Sequence, residues 1–136
     1  MQTFNWVAIL LLVGAAHGLF LAVTLFNLRR GNGTANRIFA LILTVFAISI
    51  VLHTLAYTHQ HLLQYPHLSK IEPTLLFLFG PLFYFYIKAM TTSTFKLRKQ
   101  HGLHFIPFLI CVAYLTPYYL QSAEAKIRHI LADHGG

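Results

Sequence analysis

Residues 6–28, WVAILLLVGAAHGLFLAVTLFNL, carry no charged side chain. Wound as a helix at about 1.5 Å per residue they extend roughly 34 Å, enough to cross a bilayer core with modest tilt. A helix on a soluble protein needs a polar face recurring about every 3.6 residues, and this run offers none. A cleaved signal peptide would begin with a basic region and a short apolar stretch. Here MQTFN has no Lys or Arg, and the apolar run continues past the small residues at 14–16. The run therefore reads as a retained membrane helix.

Three further segments repeat the pattern. Residues 38–57, IFALILTVFAISIVLHTLAY, fit one crossing, with Thr and Ser hydroxyls able to bond back to helix carbonyls or to neighbours. Residues 71–90 begin with Glu72 and Pro73, the latter suited to a first turn. They carry Gly80-Pro81 in the middle, where the missing N–H of Pro81 removes a ladder bond to Phe77 and predicts a kinked third helix. Residues 103–120, LHFIPFLICVAYLTPYYL, form the shortest segment, with Pro107 and Pro117 near its ends. Residues 121–136 are a short polar tail. The fold class expected is all-α: a polytopic membrane protein with four transmembrane helices spread over residues 1–120. Composition agrees, because AVILMFWYC residues make up 57% of the chain and charged residues only 10%, against about a quarter in soluble domains. So few charges would leave a water-exposed surface with large apolar patches. A porin-like barrel would alternate polar and apolar residues in strands of about ten, and no such alternation occurs. Cys111, the single cysteine, lies in an apolar run and permits no intrachain disulfide.

Ten Lys and Arg against three acids give a formal charge of +7, and its distribution matters more than its total. The turn RRGNGTANR carries Arg29, Arg30 and Arg37 without an acid, and its Gly31, Asn32 and Gly33 suit a tight reversal. The turn after the third segment carries Lys96, Arg98 and Lys99, with Lys88 at the helix end. The remaining loop has only Lys70, offset by Glu72; in the tail Glu124 and Asp133 balance Lys126 and Arg128. The positive-inside bias then puts both basic turns in the cytoplasm and the N-terminus outside. Tyr84 and Tyr86 toward the inner side, and Trp6 and Tyr57 toward the outer, suit interfacial belts. The loop FKLRKQH is tethered at both ends and matches the first turn in charge and side. Anionic headgroups suit it better than a nucleic acid, whose groove needs a folded element to enter it. No direct nucleic-acid binding by this chain is expected.

Residues able to do chemistry are sparse. His17, His53 and His104 lie within spans, where an ionisable group is a functional candidate by default. The topology sets them at different depths, so they share neither one ion nor one haem. His59, His61 and His67 cluster in the loop without a recognisable ligand spacing. No metal or cofactor is assigned. The chain has no phosphate-binding glycine loop, no HExxH and no carboxylate or cysteine pair, so it is not expected to be an enzyme. Gly14, Gly18 and Ala22 recur every four residues, with His17 beside them, and make a small face able to pack against another helix of this chain, a second copy or a partner.

Several of these pieces resemble the N-terminal membrane region of bacterial membrane-bound AraC-family transcriptional regulators. The first turn and second helix are similar to that group's N-x-x-A-N-R-x-x-A pattern at Asn32, Ala35, Asn36, Arg37 and Ala40. QYPHL at 64–68 follows, then a G-P-x-x-Y-x-Y core at Gly80, Pro81, Tyr84 and Tyr86. After a basic loop comes H-F-x-P-F at His104, Phe105, Pro107 and Phe108. The likeness covers most of residues 6–120 and lies in the order of the pieces. It implies about seven membrane helices, an outside N-terminus and a cytoplasmic pair of DNA-binding helix-turn-helix motifs. The sequence in hand contains four apolar segments and no such motif, so it is expected to be a fragment or a truncated frame. The implied function is a sensory or anchoring region in the bacterial inner membrane, its ligand unspecified, with Gly80, Pro81, Tyr84 and Tyr86 as kink and relay candidates. The alternatives are a stand-alone membrane protein acting through helix partners and a histidine-dependent redox or transport component.

Overall fold

The computed structural model describes residues 6–57, 71–92 and 94–134. Among the described residues five α-helices follow in order: α1 Trp6–Asn27, α2 Gly33–Tyr57, α3 Ile71–Thr91, α4 Ile106–Tyr119 and α5 Ala123–His134. A 3₁₀ helix, Lys99–Phe105, leads into α4. The fold is all-α among the described residues. Four stretches of the described residues, Trp6–Asn27, Gly33–Leu55, Thr74–Thr91 and Lys99–Tyr119, are long and apolar enough to cross a membrane. Their outward surfaces are apolar: Trp6 is 73% exposed, Leu10 71% and Phe20 68%. A multi-pass membrane arrangement is consistent with that surface.

The turn between α1 and α2 is set by Gly31, whose φ of 73° is left-handed and open to glycine at no steric cost. Asn32 then caps α2, its Oδ1 accepting the Ala35 N–H at 3.1 Å. Thus α2 begins at Gly33, five residues before the apolar run read from sequence. The hydroxyls of Thr44, Ser49 and Thr54 donate to the carbonyls of Ala40, Val45 and Ile50 at 2.8, 2.9 and 2.8 Å, which leaves no hydroxyl among them needing a partner helix. α3 runs unbroken through Pro81.

The helices are joined along two seams. α1 meets α2 through Ala15, Gly18 and Ala22, with Ala40 and Ala47 buried on the facing helix. α2 meets α3 through larger side chains: Ile38, Ile42, Leu82 and Phe85 are buried together with Ala35 and Ala89. α4 follows α3 but buries no residue fully. Its first turn carries Pro107, where a missing N–H costs nothing. The segment read as one span over 103–120 is thus a 3₁₀ lead followed by a 14-residue α-helix. The tail, to which sequence reading gave no element, forms α5, with Ile130 and Lys126 buried.

Candidate functional site

The two basic turns meet at one end of the bundle. Asn32, whose carbonyl side caps α2, uses its Nδ2 to donate to the Ala89 carbonyl in the last turn of α3 at 2.5 Å. Beside it Asn36 Nδ2 donates to the Arg30 carbonyl at 3.1 Å, holding the arginine-bearing turn against α2. Ala35 and Ala89 are both 0% exposed, so the two backbones approach closely where that amide bridges them. The Asn-x-x-Ala-Asn-Arg pattern is therefore a joint: cap, bridge, close contact and turn clamp in succession. Arg37 lies with its guanidinium 5.9 Å from the centroid of the Phe26 ring, and Arg29 and Arg30 are exposed.

Beyond α3 the chain turns at Thr92–Phe95, where the Phe95 N–H donates to the Thr92 carbonyl at 3.0 Å, and returns as the 3₁₀ helix. At about three residues per turn, side chains three apart eclipse. His101 and His104 consequently fall on one face, while Arg98 precedes the helix as its extended N-cap residue. The Arg98 N–H donates to His101 Nδ1 at 2.9 Å, and the His101 N–H to the Arg98 carbonyl at 2.9 Å, which fixes the first turn.

Phe85 is the hub of this end. Its ring, 1% exposed, has the rings of Tyr84, His101 and His104 at 5.3, 5.3 and 5.2 Å, and those of Phe95 and Phe105 at 6.4 and 6.0 Å. His104 also stacks on Tyr84 at 5.0 Å with 13° between planes. Lys88 Nζ donates to the Tyr84 hydroxyl at 3.3 Å and lies 5.8 Å from the Phe95 ring centroid. Next to Phe85 in sequence, Tyr86 stacks on Phe39 of α2 at 5.1 Å. These contacts tie α3 to α2 on one side and to the 3₁₀ helix on the other. Between them opens a cleft of about 280 Å³, walled by Leu41, Leu82, Phe85 and Leu97 and rimmed by Arg98 and Lys99.

The sites predicted from sequence divide among three places. Tyr84, Tyr86, Lys88, Arg98 and Lys99 join the ring cluster or its rim, while Lys96 is exposed beside it. Gly18 and Ala22 lie on the α1–α2 seam; a Cβ at Gly18 would sit 3.8 Å from that of Ala47, an ordinary contact. Gly14 is exposed with open space around it, and Ala15, 2% exposed, takes the place on the seam. His17 and His53 are exposed, on α1 and α2. Gly80 has nothing near its open side. Among the described residues no three His, Cys, Asp or Glu side chains cluster as metal ligands. The loop histidines His59, His61 and His67 and the QYPHL motif lie outside the described residues, as does the side chain of Tyr57.

Sequence reading passed over Phe85 and His101. The signal that could have found His101 is its three-residue spacing from both Arg98 and His104 in a stretch ending at a proline. It also passed over a cluster at the opposite end, where Thr74 and Tyr119 hydroxyls pair at 2.8 Å. There Lys126, 1% exposed, donates to the Tyr119 carbonyl at 2.8 Å and lies 5.7 Å from the Tyr118 ring centroid, pinning α5 to α4. All three acids of the chain lie at or beyond this second end in sequence, at 72, 124 and 133.

Compared with models of known protein families, with curated proteins and with solved structures, the chain matches none. The resemblance to membrane-bound AraC-family regulators rests on the order of its own motifs.

Proposed function

We propose that this chain is the membrane-embedded sensory and anchoring region of an AraC-type transcriptional regulator of the bacterial inner membrane, with the basic end facing the cytoplasm. The observation that carries it is the construction of that end. Motif pieces far apart in sequence, Asn32 to Ala35 and Tyr84 to Phe105, converge there into one bonded assembly with all seven predicted basic residues around it. Such an assembly supplies what a relay to a cytoplasmic reader requires, a rigid coupling between a membrane helix and the chain leaving it. Pro81, set one turn before Phe85, is the position where the helix ladder is weakest and where a change of bend would reach the hub. In this reading the chain has no catalytic role, and membrane lipids and further helices are its partners.

The test is the reading frame and its product. Sequencing the encoding locus past residue 136 should find further apolar segments and then paired helix-turn-helix motifs, the latter protected from protease added outside intact cells. A stop codon directly after residue 136, or helix-turn-helix motifs cleaved from outside, would overturn the assignment. In the full-length regulator Pro81→Ala should change basal or signal-dependent reporter output by severalfold; unchanged output on both counts would remove Pro81 from the relay.

A further inference from the structure

We propose that the cleft between α2, α3 and the 3₁₀ helix holds one anionic phospholipid, an acyl chain within the cleft and its phosphate against Arg98 and Lys99. The proposal rests on reading the four apolar helices as membrane-spanning. The cleft combines two features that a lipid of that kind has in the same order. Its walls are mostly apolar, with Leu41, Leu82, Phe85 and Leu97 beside a His101 whose Nδ1 already accepts the Arg98 N–H, and about 280 Å³ is below the usual volume of a drug-sized ligand site. In a bilayer such a space fills with hydrocarbon, because an empty one forfeits dispersion contacts on every wall.

The rim decides which lipid. Arg98 and Lys99 are both exposed and adjacent at the mouth. Arg98 projects from a turn held at both its N–H and its carbonyl by His101, so the guanidinium starts from a fixed base. Its planar fork matches two phosphate oxygens, with the lysine ammonium adding a point charge. No acid occurs between residues 73 and 123 to neutralise either cation from the flanking chain. A zwitterionic headgroup would bring its own ammonium to the same place, and an anionic one does not. The other basic hollow, around Asn27, Arg29 and Arg37, mixes polar and apolar lining about equally, whereas the cleft beside Arg98 is almost wholly apolar below its rim, so the latter suits an acyl chain better.

The test is native mass spectrometry of the detergent-solubilised chain titrated with phosphatidylglycerol or with phosphatidylcholine of the same acyl chains. One phosphatidylglycerol should be retained about tenfold or more tightly than phosphatidylcholine. Arg98→Gln with Lys99→Gln should abolish the difference, while Arg29→Gln with Arg30→Gln keeps it. Leu41→Trp, at a side chain 49% exposed and so open to enlargement without unfolding, should weaken retention of both lipids. Equal retention of the two lipids, undiminished preference in the Arg98/Lys99 variant, or equally tight binding of inorganic phosphate alone would each overturn the proposal. So would a co-purifying polypeptide that lipid fails to displace. Those results leave the membrane reading standing; a chain monodisperse in buffer without detergent or lipid would sink that reading itself.

Discussion

Between α1 and α2 the buried positions are Ala15, Ala22, Ala40 and Ala47, with Gly18 against Ala47; between α2 and α3 they include Ile38, Ile42, Leu82 and Phe85. The first seam removes volume so that two backbones come close. The second adds volume so that side chains fill the gap, and only at Ala35 and Ala89 does it narrow to a close approach. In lipid, burial of apolar surface drives neither, since the tails are as apolar as leucine; packing and hydrogen bonds carry both. The two seams should therefore fail in opposite ways, the wide one when it is emptied and the narrow one when it is filled.

The largest effect is expected at the hub. Phe85→Ala should destabilise by about 3 kcal/mol, the low end of the aqueous range because lipid reduces the transfer component. Unfolding in mixed micelles, followed by circular dichroism, would measure it. A loss under about 1 kcal/mol would show that the ring cluster does not hold α3 to its neighbours. The narrow seam gives the complementary experiment. Gly18→Leu should cost about 2 kcal/mol by overpacking against Ala47, while Gly14→Leu, into open space, should cost nearly nothing. Equal effects at the two glycines would break the assignment of Ala15, Gly18 and Ala22 to the contact.

A third variant asks whether the seams are independent. Asn32→Ala removes both the cap of α2 and the donor to Ala89, and should cost about 1.5 kcal/mol. In a double-mutant cycle with Phe85→Ala it should be non-additive, since both hold the end of α3. Apart from the Gly14 control, the smallest effect is expected away from both seams. Tyr119→Phe deletes the hydroxyl that meets Thr74 and should cost about 0.6 kcal/mol, typical of interhelical hydrogen bonds in membranes.

The apolar segments were legible because charge is absent over lengths no soluble helix tolerates, a signal that does not depend on partners. Helix ends were less so. The start of α2 at Gly33 lies in polar sequence, where hydropathy is blind and the decisive feature is the capping bond of Asn32. The small face of α1 was read at intervals of four, Gly14, Gly18 and Ala22, yet a helix of about 3.6 residues per turn admits 15, 18, 22 equally well. Which register meets α2 depends on where the alanines of α2 stand, and a single helix cannot reveal that. Phe85 was one aromatic among many in LFGPLFYFYIKAM; its place at the hub follows from the return of the 3₁₀ helix across it. Lys126 looked like a tail charge because composition does not show which face of α5 meets α4.

Position 32 has a narrow alphabet as a result of its double engagement. Its side chain accepts at one terminus and donates at the other, serving a helix start and a helix finish simultaneously. Aspartate would keep the first partner and repel the second, serine would reach only the nearer, and glutamine would overshoot both by a methylene. Of the ordinary side chains, asparagine alone meets both demands at that length.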